Sequence, residues 1–274
     1  MSLSHGKVVL ITGGAGGIGA AIARRFGKQG THIALVDLDE QQLRNQVQSL
    51  TEMGISAKAW TVDVTDHPSA TQVIQQITEH FGSLDVLVLS AGLTQVSLFQ
   101  DTQVDVIRRV MEVNFFGAVN FAQASLPALI ASHGRIVVLS SIAGFAPLIG
   151  RTGYCASKHA LHGFFDTLRA ELTNQSVSVT IVCPSFVATE FATKGLQGDG
   201  SKINFDRSTT GRMLQPDQVA DAVFHACQKR RPLVVLPSLG KVAYWISRVA
   251  PSWYQHMMSK RFSQEFERQH SRTS

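Results

Sequence analysis

The segment KVVLITGGAGGIGAAIARRF, residues 7–26, decides the fold class. It joins an apolar run that is typical of a buried strand to a glycine-rich turn, and the turn leads into a helical pattern formed by Ile22, Ala23 and Phe26. Glycines let the backbone approach a pyrophosphate, and a helix N-terminus supplies amides and a positive dipole. The order strand, glycine turn, helix therefore predicts a dinucleotide-binding unit at the start of the chain.

The spacing of the glycines fits two patterns. From residue 14 onward the turn reads Gly-x-Gly-x-x-Gly, which is weak evidence when it stands alone. The same run also fits Thr-Gly-x-x-x-Gly-x-Gly through Gly13, Gly17 and Gly19. Both patterns indicate a turn that holds phosphates.

A carboxylate follows the second predicted strand, residues 32–36. Asp37 stands at the end of this strand, eighteen residues past Gly19. A carboxylate at this place accepts hydrogen bonds from both ribose hydroxyls of an adenosine, and it repels a 2′-phosphate. We therefore predict NAD(H) rather than NADP(H) as the coenzyme. An open alternative is that Asp37 caps the helix predicted over residues 41–53, and the two roles are compatible.

A tyrosine and a lysine share one face of another predicted helix. Apolar residues recur every four positions from residue 156 to residue 172, which predicts a helix over residues 152–174. Tyr154 and Lys158 then lie on the same side of it. A free tyrosine titrates near pH ~10, so its use as a base costs roughly 4 kcal/mol unless a nearby charge lowers its pKa. Ser141 follows the apolar run 136–139, where its hydroxyl can lie beside the phenol, and the three groups predict an acid/base site for a carbonyl or an alcohol.

Ser141, Tyr154 and Lys158 at this spacing resemble the catalytic set of the classical short-chain dehydrogenase/reductase family, and the resemblance covers roughly residues 6–236. It implies an α/β Rossmann-type domain, with a doubly wound parallel sheet of about seven strands and the ligand at their carboxyl ends. The implied activity is NAD(H)-dependent interconversion of a secondary alcohol and a ketone. Tyr154 would exchange the proton, Ser141 would hydrogen-bond the substrate oxygen, and Lys158 would lower the Tyr154 pKa and bind the nicotinamide ribose. Asn114 would hold a water of the proton path.

The resemblance also assigns the cofactor contacts. Asp63 and Val64 match positions that meet the adenine, although Asp63 has an alternative role in an Asx turn. Ser90 and Ser185 stand where the family has asparagine and glycine, and we expect binding to be retained if φ of Ser185 is negative. The predicted cofactor-binding residues are Gly13, Gly16, Gly17, Ile18, Gly19, Asp37, Asp63, Val64, Ser90, Gly92, Tyr154, Lys158, Pro184, Val187 and Thr189.

Length and composition predict one domain over residues 1–274, since 274 residues with 44% hydrophobic content can bury a large core and no linker divides them. Cys155, Cys183 and Cys227 give an odd count without metal-like or redox-pair spacing, so we expect reduced thiols and no metal site. The net charge of +5 comes from scattered basic pairs, which does not favour a nucleic-acid partner. The start lacks the pattern of a signal peptide, and we expect a cytoplasmic location.

Two segments depart from the core pattern. Residues 186–215 are polar and contain several glycines, and we predict that they form a lid over the substrate. Phe145, Pro147, Leu148 and Ile149 favour an apolar and bulky ligand. Residues 239–274 are predicted as a helical extension with six basic residues against two acidic ones. Our favoured interpretation is that this extension packs on its own subunit or a neighbour, and the alternative is a basic amphipathic element for a membrane surface or a lipid-like substrate.

Other functions stay open on the sequence alone. Within the enzyme class the alternatives are an NADP-dependent carbonyl reductase and a 3-oxoacyl-thioester reductase. A different class is a nucleotide-binding regulatory protein without catalysis, and the presence of Ser141, Tyr154 and Lys158 together argues against it. The resemblance implies a homodimer or homotetramer.

Overall fold

The computed structural model describes residues 5–203 and 213–258. Its strands form one parallel sheet in the order β3-β2-β1-β4-β5-β6-β7. This order confirms the predicted doubly wound sheet of seven strands. The strands are β1 (Val8–Thr12), β2 (His32–Asp37), β3 (Ala57–Thr61), β4 (Val86–Leu89), β5 (Arg135–Leu139), β6 (Ser178–Pro184) and β7 (Leu233–Leu236).

The strand order reverses between β1 and β4, which lie side by side. From β1 the chain builds outward to β3, and it then returns to the other side of β1. In parallel sheets of this kind, ligands bind at the carboxyl ends of the strands beside the reversal. Thr12 Oγ1 accepts the backbone N–H groups of Ser90 at 3.2 Å and Ala91 at 3.3 Å, so the two strand ends are held together there.

Helices cover both faces of the sheet because neighbouring residues of each strand point to opposite sides. On one side, Val9 and Ile11 pack in a core with α1, α2 and α7; on the other, Val8 and Leu10 pack in a core with α3, α5 and α6. The helices are α1 (Gly17–Gly27), α2 (Glu40–Glu52), α3 (His67–Phe81), α4 (Val104–Met111), α5 (Gly117–Ala131), α6 (Thr152–Glu171), α7 (Pro216–Gln228) and α8 (Ser238–Val249).

The buried face of α6 differs from the apolar row that predicted this helix. Leu161 and Phe165 are completely buried, whereas Ala156, at the start of the predicted row, is exposed. The reason is geometric, because residues four apart advance by about 40° more than one full turn. A row at four-residue steps therefore winds around the helix. This one begins in solvent, packs against the core at Phe164 and Leu168, and is completely buried only at Leu172.

The carboxylates that cap α2 and α3 are Asp39 and Asp66. Asp39 accepts the backbone N–H of Gln42 at 3.0 Å, and Asp66 accepts that of Ser69 at 3.3 Å. The alternative in which Asp37 caps the helix after β2 is therefore wrong. Asp37 lies two residues before the cap, and its carboxylate is left for other contacts.

Residues Val104–Ala131 form one continuous helix that changes register in its middle. Between α4 and α5, residues Glu112–Phe116 form a π-helical turn, in which the Gly117 N–H donates to the Glu112 carbonyl. Among the described residues, Val104–Ala131 is the one helix that is long and apolar enough to cross a membrane. Val110, Phe121 and Leu129 are completely buried against the rest of the protein, as in the core helix of a globular domain.

The predicted lid and extension are described in part. The predicted lid follows β6. One isolated parallel bridge joins its two ends, Val187 and Leu214, and another joins its residue Leu196 to Gln95 outside it. Residues 204–212 and 259–274 lie outside the described residues, so part of each prediction does too. The extension begins with α8 and is again helical from residue 251 to residue 258.

Candidate active site

Tyr154 and Lys158 lie together on α6. The Lys158 Nζ is 5.7 Å from the centroid of the Tyr154 ring, so the ammonium and the phenol occupy the same side of the helix. Lys158 is only 5% exposed, and its Nζ donates a hydrogen bond of 2.8 Å to the carbonyl oxygen of Leu139 at the end of β5. The sheet thus fixes the position of the charge next to the tyrosine.

Burial lowers the pKa of Lys158 from its ordinary value of 10.5 to about 8. The side chain is therefore mostly an ammonium at neutral pH but releases its proton far more readily than an exposed lysine. A positive charge this close to a phenol favours the phenolate form, because the interaction stabilises the negative oxygen. The pair can consequently serve as a tuned acid and base.

Asn114 lies in the π-helical turn and is 1% exposed. Its Oδ1 accepts the Leu93 N–H at 2.7 Å, and its Nδ2 donates to the Leu93 carbonyl and to Ser157 Oγ, both at 2.9 Å. Ser157 Oγ in turn donates to the Tyr154 carbonyl at 2.8 Å. The buried amide that the sequence singled out thus has its partners, and it links the loop after β4 to the helix of Tyr154.

Gly92 lies close to both Asn114 and Lys158. A Cβ at Gly92 would lie 3.1 Å from Asn114 Oδ1 and 3.8 Å from Lys158 Nζ. Asn114, Lys158 and the loop after β4 therefore meet at one point.

Ser141 follows β5 by two residues and begins a short 3-10 turn that packs against α6. Its Oγ accepts the Ala143 N–H at 3.1 Å and is 3.5 Å from the Pro184 carbonyl, to which it donates. Pro184 ends β6. The predicted serine is thus held between the ends of two neighbouring strands.

The glycine-rich turn is packed against two other predicted segments. Gly13 has a φ of +69°, and a Cβ there would lie 2.8 Å from the Ala91 nitrogen, next to Ser90. A Cβ at Gly17 would lie 2.8 Å from Thr189 Cγ2, in the loop after β6. These close approaches leave no room for a side chain at Gly13 or Gly17 unless a neighbour moves.

The N-terminus of α1 is open towards this turn. Gly16 precedes the helix, no side chain caps it, and its first turn contains no acidic residue. The amides of Gly17, Ile18 and Gly19 therefore have no intrahelical acceptors, as in any first helical turn. Such a terminus favours an anionic group.

The Asp37 carboxylate lies beside the same turn. Its Oδ2 accepts the Ala15 N–H at 3.1 Å, and its Oδ1 accepts the N–H groups of Leu38 at 2.8 Å and Asp39 at 3.3 Å. These contacts hold the carboxylate at the carboxyl end of β2, beside the glycine-rich turn. Its place agrees with the predicted role towards a ribose.

Asp63 forms the Asx turn that the sequence left open. Its Oδ1 accepts both the N–H and the Oγ1–H of Thr65, at 2.9 Å and 2.8 Å, and its Oδ2 is 3.7 Å from Arg109. The next residue, Val64, is 6% exposed, and its carbonyl accepts the Asn120 amide at 3.0 Å. The adenine role of Asp63 and Val64 stays a prediction.

The loop after β6 has a negative φ at Ser185, as expected for a serine in place of the family glycine. The non-glycine residues with positive φ in the described ranges are His133, Ser176 and Arg230, so Ser185 replaces the family glycine without a left-handed backbone. Its N–H donates to the Leu236 carbonyl at 2.9 Å. Val187 and Thr189 follow directly, and the ring of Phe191 in the predicted lid lies 6.2 Å from that of Tyr154.

Comparisons with known proteins give the family. The family model described as short chain dehydrogenase matches residues 7–199. The chain is 34% identical over 262 residues to dehydrogenase/reductase SDR family member 7B of Xenopus laevis, covering 93% of this chain and 81% of that protein. It is 33% identical over 255 residues to the probable oxidoreductase EphD of Mycobacterium bovis, covering 89% of this chain but 43% of that protein.

The chain belongs to the short-chain dehydrogenase family. A crystal structure of a short-chain dehydrogenase/reductase from Burkholderia phymatum, in complex with NAD, has the same fold. It matches with a TM-score of 0.81 at 23% identity, covering 90% of this chain and 95% of that one. The family is one of oxidoreductases, and the site described above lies where its fold places ligands.

Sequence reasoning missed Gln95 of this short-chain dehydrogenase. The residue is completely buried, and its Oε1 accepts the N–H of Gly153 at 3.1 Å and of Tyr154 at 3.3 Å. The side chain thus caps the helix of Tyr154 from 59 residues away along the chain. The sequence offered one signal for this role, a polar residue between Thr94 and Val96 in a segment that follows a buried strand. The partners of Gln95 could not be read from local spacing.

The lowered pKa of Lys158 predicts a pH-dependent stability. Below pH 8 the lysine is protonated in both the folded and the unfolded state, and folding carries its full desolvation cost. Between pH 8 and pH 10.5 the unfolded chain keeps a proton that the folded chain has lost, so the unfolding free energy rises by roughly 1.4 kcal/mol per pH unit. We expect this rise in urea unfolding of the nucleotide-free protein, taken as the difference from Lys158→Met.

The control for this measurement is Lys28→Met, which replaces an exposed lysine. Its unfolding free energy should follow that of the wild type at every pH. Parallel pH profiles for the wild type and Lys158→Met would contradict the lowered pKa.

Proposed function

We propose that the chain is an NAD(H)-dependent oxidoreductase that interconverts a secondary alcohol and a ketone. The observation that carries the proposal is the buried Lys158 ammonium 5.7 Å from the Tyr154 ring, at the carboxyl end of the sheet. Membership of an oxidoreductase family supports the reaction class. The NAD in the Burkholderia phymatum structure supports the coenzyme.

The residues present fit a dinucleotide. Gly13 and Gly17 leave a turn without side chains above the open N-terminus of α1, which suits a pyrophosphate. Asp37 would accept the adenosine ribose hydroxyls, and Lys158 would bind the nicotinamide ribose. Val187 and Thr189 would meet the carboxamide through their backbone. When bound, the nicotinamide supplies or accepts the hydride.

Tyr154 would exchange the proton with the substrate oxygen. In oxidation its phenolate takes the proton of the alcohol, and in reduction its hydroxyl gives a proton to the ketone oxygen. Ser141 would donate a hydrogen bond to the same oxygen, which orients it and stabilises its developing charge. Lys158 lowers the cost of the phenolate, and Asn114 would complete the proton path from Lys158 to solvent.

The substrate would lie between the apolar segment 145–149 and the lid. Phe145 is partly buried and packs on the core, so this wall offers carbon rather than polar groups. Phe191 lies beside Tyr154 and would contact a ligand from the lid side. These side chains support an apolar and bulky alcohol or ketone.

We also propose that the protein forms homodimers or homotetramers. The outer faces of α5 and α6 support it, since Phe116, just before α5, is 45% exposed, and Ala156 and Gly163 of α6 are exposed small residues that permit close helix packing.

Removing the Tyr154 hydroxyl tests the reaction. Tyr154→Phe should lower kcat for NADH production with a panel of secondary alcohols by about 10²-fold or more, because the general acid/base is lost. Its Kd for NADH should stay within about threefold of the wild type, which separates chemistry from binding. The control is Tyr254→Phe, which removes a hydroxyl from a tyrosine of the C-terminal extension. Equal turnover by Tyr154→Phe and Tyr254→Phe would refute the mechanism, and NADH binding without turnover on any alcohol or ketone would favour the regulatory protein.

Replacing Asp37 tests the coenzyme. In fluorescence titrations the wild type should bind NADH more tightly than NADPH, and Asp37→Asn should weaken NADH binding about tenfold while it strengthens NADPH binding. Asp39→Asn makes the same change of charge two residues away and keeps a good helix cap, so it should leave the ratio of the two affinities unchanged. Tighter binding of NADPH by the wild type would favour the NADP-dependent alternative instead.

A further inference from the structure

The C-terminal extension presents an apolar surface to solvent. The exposed fractions are 51% for Val242, 65% for Trp245, 80% for Val249 and 58% for Trp253, and Met257 is also exposed. These five residues, which we call the C-terminal face, follow one another at intervals of three or four positions along α8 and the helical residues 251–258. Val242, Trp245 and Val249 therefore share one side of α8, and Trp253 and Met257 share one side of the helical residues after the break at Ala250.

The opposite side of the extension is packed on the domain. The Tyr244 ring lies edge-on to Phe145, with centroids 5.0 Å apart, and a Cβ at Gly240 would lie 2.9 Å from Val235 of β7. Tyr254 is only 3% exposed. The extension is thus fixed by one side, and its other side needs a different partner, because exposed apolar stripes with two tryptophans are rare on free surfaces.

Basic side chains, and no acidic ones, occur along this part of the chain. Residues 240–258 contain two basic residues and no aspartate or glutamate. Lys241 and Arg248 lie on α8 itself, and both are exposed. A surface of this kind is complementary to an anionic one, whereas two copies that met through the same face would bring like charges together.

We propose that the C-terminal face docks on an anionic lipid bilayer. Tryptophan favours the level of the headgroups, where its ring is buried and its N–H stays hydrated. Valine and methionine side chains enter the acyl boundary, and the surrounding lysines and arginines bind lipid phosphates. The extension lies on the membrane and does not span it.

Sedimentation with vesicles tests the proposal on the full chain. The protein should bind vesicles of phosphatidylcholine with about one-third phosphatidylglycerol at least tenfold more strongly than vesicles of phosphatidylcholine alone. Trp245→Gln with Trp253→Gln should reduce this binding about tenfold or more. Phe99→Gln, which replaces a ring that is also 65% exposed but lies in another part of the surface, should leave it unchanged. Equal binding by the tryptophan double variant and by Phe99→Gln would overturn the proposal.

Three further measurements distinguish the bilayer from other partners of the C-terminal face. Lipids that carry a quencher at the acyl boundary should quench tryptophan fluorescence of the wild type, which needs no variant. If a chain that ends at residue 258 binds the vesicles and the full chain does not, then residues 259–274 cover the C-terminal face, and the proposal is overturned. A change of oligomeric state in the double variant, with no vesicle binding by the wild type, would identify a second copy as the partner and would also overturn it.

A second inference concerns Gln95 and rests on the proposed function. Besides capping the helix of Tyr154, this residue belongs to a short bridge with the lid: Leu196 N–H donates to the Thr94 carbonyl, and Val96 N–H donates to the Leu196 carbonyl, both at 2.8 Å. Its Nε2 lies 3.4 Å from the Ser97 carbonyl and 3.5 Å from Thr152 Oγ1. One buried side chain thus connects the lid segment to the first turn of α6.

We infer that Gln95 is a positioning residue for Tyr154. Arg151 precedes α6 without capping it, so the Gly153 and Tyr154 amides depend on Gln95 for acceptors. Without the cap the first turn of α6 frays, and the phenol of Tyr154 moves away from the Lys158 charge. The pKa of Tyr154 then rises, because less positive charge stabilises the phenolate.

The test compares Gln95→Met, which keeps the length of the side chain, with Gln95→Glu, which keeps the acceptor. Gln95→Met should increase hydrogen exchange in residues 150–158, lower kcat about tenfold or more, and move the acidic limb of the pH profile for alcohol oxidation upward. Gln95→Glu should restore most of kcat and the wild-type limb, and Gln29→Met, at an exposed glutamine, should change neither. A purely structural role is shown, and the inference overturned, if Gln95→Met loses stability with an unchanged pH profile. Hydrogen exchange tests whether Gln95 caps α6 even if the chain does not catalyse the proposed reaction.

Discussion

The site depends on a lysine charge that the fold takes out of water. Lys158 is buried, and its Nζ is held by the Leu139 carbonyl at the end of β5. Within the described residues no carboxylate forms an ion pair with it, and burial raises the pKa of the nearby Cys183 thiol to about 12, which keeps that group neutral. The ammonium therefore interacts with Tyr154 and with a ligand bound beside it. Burial of Lys158 costs free energy, but it also strengthens the interaction between the ammonium and the phenol.

The parallel sheet brings the parts of the site together because every strand delivers its last residue to the same edge. The Thr12 hydroxyl joins the ends of β1 and β4, the Ser141 hydroxyl joins those of β5 and β6, and the Gly17 backbone lies against the Thr189 side chain. Segments that are 170 residues apart thus share one crevice. The same arrangement leaves little room for substitution. A Cβ at Gly13 would meet the backbone of Ala91, and a Cβ at Gly17 would meet the side chain of Thr189.

The sequence predicted what depends on local pattern, and it failed where long-range contacts decide. Strands and helices were recovered because apolar periodicity and glycine turns are local, and Tyr154 and Lys158 were paired because four residues make about one turn. The π-helical turn that contains Asn114 was not predicted, and the contacts of that amide with Leu93, 21 residues away, could not be read from local spacing. Gln95 was missed because its partners are also distant along the chain, and the helix cap that the sequence left open for Asp37 is provided by Asp39.

An open groove of about 540 Å³ at the other end of the sheet, lined by His5, Lys7, Asp85 and Ser132 among others, shows why volume alone does not locate a site here. Asp85 is buried in it but is already bound by Lys7 Nζ at 2.7 Å, the Val8 N–H at 2.9 Å and the Ser83 hydroxyl at 2.9 Å. Its charge is satisfied by the protein, so this groove offers a ligand little. At the carboxyl edge, by contrast, the first-turn amides of α1 have no intrahelical acceptors, and the Lys158 ammonium has no carboxylate partner among the described residues. Polar groups that the protein leaves open to a ligand, and not empty space, distinguish this edge as the candidate site.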